Sequence, residues 1–108
     1  MDLKSATERA FDIRQKFAKL EHTRYGRSWS REEIAMGFIG DVGDLMKLLQ
    51  AEEGIRDIVD HREKLAHELA DCLWSILVLA RLCDIDIEKA FSTTMDDLDQ
   101  VIVDLLGE

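Results

Sequence analysis

Proline is absent from the 108-residue sequence, and only 6% of its residues are aromatic. Because proline interrupts a helix in its interior, the absence favours long, continuous helices. Basic residues are also few: 14 Lys and Arg stand against 23 Asp and Glu, which gives a formal net charge of −9. Duplex DNA and anionic membranes bind basic surfaces, so this charge argues against both as partners. A small phosphorylated ligand stays compatible with it, since a metal ion can bridge two anionic groups.

The sequence has little cysteine and no long apolar run. Its two cysteines, Cys72 and Cys83, lie too far apart on one predicted helix for a disulfide, which needs Cα atoms within about 7 Å. Reduced thiols are typical of cytosolic proteins. The apolar segment that contains them is shorter than the roughly 18 residues of a membrane helix, and the first residues lack the apolar core of a signal peptide. We therefore expect a soluble, cytoplasmic protein.

Apolar residues recur every three or four positions along four segments, and no segment alternates with a period of two. This spacing predicts helices over about 2–22, from Ser30 to about Glu53, over about 61–83, and from Ile87 onward. Hydrophobic residues make up 46% of the chain, which is enough for a packed core. The sequence contains no linker and no repeat. Residues 1–108 are therefore predicted to form a single all-α domain, a bundle of four helices.

Three local signals mark the helix boundaries. Capping-box patterns at Ser30–Glu33 and Asp60–Glu63 predict the starts of the second and third helices. Gly54 is suited to the left-handed conformation that ends a helix. Residues 22–29 are predicted to form a loop, and residues 84–86 a short connection.

The third predicted helix is apolar on nearly every side. Between Cys72 and Cys83 only Ser75 and Arg81 are polar, and Trp74 is expected in the core or at an interface. A helix of this kind must be covered all around, and three companion helices leave one side open. The sequence therefore predicts a homo-oligomer that buries the third helix.

Two pairs of carboxylates turn towards the apolar stripes of the second and third helices. At 100° per residue, Asp41 falls inside the stripe of the second helix and Asp44 at its edge, while Glu68 and Asp71 take similar positions on the third. One such pair alone is typical of a solvated helix face. Four carboxylates directed into a core require a positive partner, and oxygen ligands suit Mg²⁺ or Mn²⁺. The pattern therefore favours a site for a divalent cation.

The loop after the first helix combines aromatic and basic residues: Arg24, Tyr25, Arg27 and Trp29. Such a loop could stack on a nucleobase and contact phosphate groups, or its aromatic residues could simply pack onto the end of the bundle.

The spacing of residues excludes several other kinds of site. The sequence has no zinc motif of the His-Glu-x-x-His type, no phosphate-binding glycine loop, and no Glu-x-x-His pair of the di-iron bundles.

The segments GDVGDL at residues 40–45 and HELADCLW at residues 67–74 resemble the MazG-like, all-α NTP pyrophosphohydrolases, a superfamily shared with the dimeric dUTPases. The motif of that family is Glu-x-x-Glu on one helix and Glu-x-x-Asp on the next. The second half is present as Glu68 and Asp71, and the first half departs, with Asp41 and Asp44 in place of glutamates. The similarity extends from about Trp29 to Met95.

The resemblance implies Mg²⁺-dependent, house-cleaning hydrolysis of an NTP or dNTP to the monophosphate and pyrophosphate. It implies that the metal is held by Asp41, Asp44, Glu68 and Asp71, bridges the phosphates and activates a water. Members assemble as dimers or tetramers. Many carry Lys and Asn on the fourth helix to contact phosphate, whereas residues 91–96 offer neither. The phosphate contacts would then come from Lys47, Arg24 or Arg27, while Trp29 stays a candidate for stacking on the base.

A second interpretation stays open. The Asp-for-Glu departures also fit a catalytically weakened relative that binds nucleotides or acts as an interaction module. The sequence gives no code for base or sugar preference.

Overall fold

The computed structural model describes residues 1–108 and consists of four helices without any strand. They are α1 (Leu3–Tyr25), α2 (Arg31–Glu52), α3 (His61–Leu82) and α4 (Ile87–Leu106). The predicted all-α class is confirmed. One boundary was wrong: α1 continues through the start of the predicted loop and ends at Tyr25, because the first residue that favours a left-handed stop is Gly26, at φ 78°. None of the helices is both long and apolar enough to cross a membrane.

One of the two predicted capping boxes forms. The Ser30 hydroxyl oxygen accepts from the Glu33 N–H at 3.2 Å, and the Glu33 carboxylate accepts from the Ser30 N–H at 3.1 Å. The box predicted at Asp60 is wrong. Asp60 has a left-handed backbone, at φ 56°, and its side chain makes no capping bond, because a capping residue needs an extended backbone to reach the helix amides. Gly54 is left-handed as predicted, at φ 76°.

Helix α3 lies at the centre of the fold and packs against α2 and α1. The core cluster consists of Ala10, Ile34, Leu77 and Val78, and Val78 is 0% exposed. Helix α4 touches α1 and α3 through a few residues only and has no buried residue of its own. The bundle therefore has a three-helix core with α4 projecting from it, and the molecule is elongated, 58 × 40 × 25 Å.

The predicted open side of α3 is present. Leu69, Leu73 and Ile76 are between 41% and 52% exposed. Trp74 does not lie on this face: its indole N–H donates to the Ala10 carbonyl at 3.2 Å, and its ring meets the Phe17 ring edge-on with centroids 6.3 Å apart. Trp74 was expected in the core or at an interface. Its contacts within this chain are those of a residue packed between α1 and α3.

Gly43 lies inside α2, where a glycine weakens the helix. A Cβ added at Gly43 would have no atom within 4 Å, so Gly43→Ala should raise the free energy of unfolding by about 1 kcal/mol through helix propensity alone. Urea denaturation checks this. The matched control is Gly54→Ala, which should lower the free energy of unfolding by about 1 kcal/mol because Gly54 has a left-handed backbone. A destabilising Gly43→Ala would show that another body packs closely against α2 in solution.

Candidate metal centre and the adjoining cavities

Three of the four predicted carboxylates converge where α2 and α3 pack together. One carboxylate oxygen from each of Asp41, Asp44 and Glu68 lies within 4.8 Å of the other two. The spacing of three residues places Asp41 and Asp44 on one face of α2, and that face meets Glu68 of α3. Glu68 Oε1 is buried and has no hydrogen-bond partner. A buried, unpartnered carboxylate oxygen is costly, so this oxygen set fits a hard divalent cation as the missing partner.

The electrostatics of the cluster favour the same ligand. Burial raises the pKa of Glu68, and the negative charges of Asp41, Asp71 and Asp44 raise it further. Burial also raises the pKa of the Cys72 thiol, with the Glu68 charge adding to the effect. No lysine or arginine forms a salt bridge with Asp41, Asp44 or Glu68. The carboxylates are therefore not partners of a protein cation.

Asp71, the fourth predicted ligand, stands at the rim of this cluster. Its side chain is 43% exposed, and its Oδ2 lies 3.1 Å from His67 Nε2. It is near enough for its charge to act on Glu68, but it is not among the three converging residues. The contact with His67 was missed from the sequence, although a spacing of four residues on a helix permits it. Another histidine, His61, begins α3 and pairs with Glu52.

A cavity of about 710 Å³ opens beside Asp41 and Asp71, between α1, α2 and α3. Its aromatic lining consists of Phe17, Trp29 and Trp74. Cavities of this size, mostly apolar with a few polar groups, are typical of small-molecule sites. The combination provides flat aromatic surfaces next to a cluster of carboxylates.

The loop residues reach this cavity unequally. Trp29 lines it and stacks on Tyr25, with ring centroids 5.6 Å apart. Arg27 lies 5.4 Å from the Trp29 ring centroid, but both its terminal nitrogens are bound to Glu33, at 2.6 and 2.9 Å. This pairing, together with the Ser30 N–H, lowers the pKa of Glu33 to about 2. Arg24 is exposed in the last turn of α1 and does not line the cavity.

A second cavity, of about 390 Å³, lies on the other side of the carboxylates. Asp44 and Glu68 line it together with Lys47, Lys64 and His67. Lys47 was a predicted phosphate contact, and the structure places it beside the carboxylates. Lys64 was missed, because a lysine in the first turn of an amphipathic helix looks like ordinary solvated surface.

Two charged residues of the large cavity were also missed. Arg14 and Glu21 line its α1 wall. Their signal was present in the sequence, since Ala10, Arg14, Phe17 and Glu21 recur at the spacing of a buried helix face. Charged residues at such positions indicate a buried pair rather than solvated surface.

Comparison with known protein families gives one match. The family model of the MazG nucleotide pyrophosphohydrolase domain matches residues 32–101. The chain belongs to the MazG family. No curated protein and no solved structure matches the chain significantly. The matched region of this MazG domain begins in the first turn of α2 and ends within α4, so it includes all four carboxylates and both lysines of the smaller cavity.

Proposed function

We propose that this MazG-family protein hydrolyses a nucleoside triphosphate, an NTP or a dNTP, to the monophosphate and pyrophosphate. The observation that carries the proposal is the unpartnered, buried Glu68 oxygen among converging carboxylates, next to an aromatic cavity. Family membership supports the reaction class. Because the net charge of the chain is −9, a metal ion held by the carboxylates would offset their repulsion of a polyanionic substrate.

The carboxylates would hold Mg²⁺ or Mn²⁺. Asp41, Asp44 and Glu68 supply the converging oxygens, and Asp71 would join them from the rim, with its contact to His67 restricting its rotation. When bound, the metal supplies neutralisation of the phosphate charge and polarisation of a phosphoryl oxygen. The carboxylate side chains would hold the positive charge of the metal in a fixed position. Positioning and charge stabilisation are the main contributions of an enzyme to phosphoryl transfer.

The two cavities would divide the substrate between them. We place the base in the larger one, where Trp29, Trp74 and Phe17 offer faces for stacking. The phosphates would extend past the carboxylates towards Lys47 and Lys64 of the smaller one. Arg27 contributes less than expected because Glu33 occupies its donors, and Arg24 would reach the substrate only through movement of its exposed side chain.

Two further assignments belong to this proposal. Exposed apolar residues on two helices support a homodimer or homotetramer in which partner chains cover them. They are the open side of α3 and an apolar stripe of α4 that consists of Phe91, Met95, Leu98, Ile102 and Leu105. The free thiols of Cys72 and Cys83 support a cytoplasmic location.

A second candidate is a nucleotide-binding or interaction module with weak or no turnover. The aspartates at positions 41 and 44 are one methylene shorter than the glutamates of the family motif, and the Asp71 side chain contacts His67. Both features would affect how the carboxylates coordinate a metal ion, but neither would affect the cavity proposed for the base. This candidate therefore predicts nucleotide binding without hydrolysis.

A panel of NTPs and dNTPs with Mg²⁺ tests the proposed function. We expect at least one nucleotide to give equal amounts of monophosphate and pyrophosphate, measured by chromatography and a pyrophosphate assay, and we expect EDTA to stop the reaction. Asp41→Asn should lose the activity, and the control Asp97→Asn, on the exposed surface of α4, should keep it. Release of orthophosphate in place of pyrophosphate would contradict the proposal. Binding without any product would favour the second candidate.

A further inference from the structure

A buried ion pair on α1 lines the large cavity. Arg14 and Glu21 are only 5% and 7% exposed. Two hydrogen bonds join them: Arg14 Nη1 donates to Glu21 Oε2 at 2.7 Å, and Arg14 Nη2 donates to Glu21 Oε1 at 2.8 Å. Hydrogen bonding from Arg14 is the main cause that lowers the pKa of Glu21. The pair is therefore ionised at neutral pH.

The pair also holds the backbone of Trp29 at both of its polar groups. Glu21 Oε1 accepts from the Trp29 N–H at 2.9 Å, and Arg14 Nη2 donates to the Trp29 carbonyl at 3.3 Å. The neighbouring amides of Arg27 and Ser28 have no such partner. Trp29 immediately precedes Ser30, whose capping box fixes the start of α2. The Trp29 ring is thus presented to the cavity from a backbone held on both sides.

Stability alone does not account for this arrangement. A buried ion pair often contributes no more than apolar residues of similar volume, because its desolvation offsets its attraction. Apolar residues cannot supply two directed hydrogen bonds to a loop backbone. What the pair provides beyond packing is the position of Trp29.

We propose that Arg14 and Glu21 are positioning residues for the ligand of the large cavity, acting through the backbone of Trp29. The inference rests on the proposed function to the extent that the ligand is a nucleotide. The pair does not contact the carboxylate cluster, so its loss should weaken nucleotide binding and leave the chemical step unchanged. In kinetic terms, KM should rise while kcat is preserved. This is the pattern expected when an interaction that stabilises the bound substrate and the transition state equally is lost.

Amide exchange in the unaltered protein gives the first test. By NMR, the Trp29 N–H should exchange at least about tenfold more slowly than the Ser28 N–H in the absence of nucleotide, because only the former is hydrogen-bonded. Equal exchange rates would overturn the proposal before any variant is made.

The decisive variant removes the pair without leaving a buried charge. Arg14→Met combined with Glu21→Leu should stay folded, since such replacements are often neutral or stabilising. The matched control is Asp12→Ala combined with Lys16→Ala, which removes an exposed pair from the same helix. Calorimetric titration with non-hydrolysable triphosphate analogues of the panel should show a Kd about tenfold weaker in the first variant and unchanged in the control, with Trp29 amide protection lost only in the first.

Each outcome decides the question. Lost protection with an unchanged Kd would overturn the positioning role, and a weaker Kd with retained protection would show that the pair contacts the ligand directly. If the double variant does not fold, a Trp29 N–H of the unaltered protein that exchanges as fast as the Ser28 N–H still overturns the proposal. An inactive protein whose Kd still depends on the pair would refute the proposed hydrolysis and support the positioning role. A protein that binds none of the analogues would refute both.

Discussion

Replacing Glu68 with glutamine should remove most of the thermal stabilisation by Mg²⁺ and lower pyrophosphate release by about a hundredfold or more. Glu68 carries the one buried carboxylate oxygen of the cluster that has no hydrogen-bond partner. A ligand that binds only the folded state stabilises it by about 2.7 kcal/mol at a hundred times its Kd. Glutamine has the same shape but no negative charge, so it should forfeit this binding energy.

The same variant should melt no lower than the unaltered protein when both are in EDTA. Burial and the charges of Asp41, Asp71 and Asp44 already raise the pKa of Glu68, which means that its ionised form is disfavoured in the folded, metal-free protein. A neutral amide relieves that repulsion. Functional sites commonly carry such a stability cost.

Thermal melts with Mg²⁺ and with EDTA measure both effects, and Glu32→Gln, an exposed glutamate of α2, is the control. The control should keep the full metal response. The site assignment would be refuted by a Glu68→Gln variant with an unchanged metal response. It would equally be refuted by a variant that unfolds in EDTA, since that would make Glu68 a structural residue.

Replacing Leu73 with glutamate should convert an oligomer into a monomer of 12.4 kDa that is still helical. Leu73 lies on the exposed face of α3 between Leu69 and Ile76. A charge buried without a partner in an apolar interface costs several kcal/mol, which exceeds what most interfaces can lose. Within a single chain, the same charge at Leu73 faces solvent and should leave the fold intact.

Sedimentation at micromolar concentration checks this, with circular dichroism as the measure of helix content. Ile55→Glu is the control, because Ile55 is an exposed apolar residue in the connection after α2. It should keep the assembly. Trp74→Glu is a poorer probe, since Trp74 packs against Ala10 and Phe17 and its loss would damage the contact between α1 and α3. An unaltered protein that sediments as a monomer would contradict the interface.

Periodicity was sufficient to predict that three of the carboxylates converge. Helix geometry fixes which residues share a face, so Asp41 and Asp44 could be placed towards Glu68 once their helices were expected to be neighbours. Asp71 lies at the rim of these carboxylates. Its side chain turns to His67 at 3.1 Å, and a choice between two partners within reach depends on side-chain rotation, which the spacing of residues does not encode.

Three other details could not be predicted from the sequence, each for a different physical reason. The apolar stripe of α4 predicts that this helix covers something, but not that it projects from its own core. The capping pattern at Asp60 failed because the preceding connection, not the residue type, sets its backbone conformation. The spacing of Arg14 and Glu21 on α1 indicates a buried pair, but only the fold shows that the pair binds the backbone of the next loop.

Because the backbone of Trp29 is hydrogen-bonded on both sides, the connections before and after α2 should differ in how well they tolerate insertions. The connection from Gly26 to Ser30 is bound at the Trp29 N–H, at the Trp29 carbonyl and at the Ser30 cap, so even one added residue would misplace the ring. The connection after α2 has exposed side chains at Ile55 and Val59. Exposed loop tips of this kind accept added residues. Length variation among relatives of this chain should therefore concentrate after α2, while the connection before it keeps a constant length.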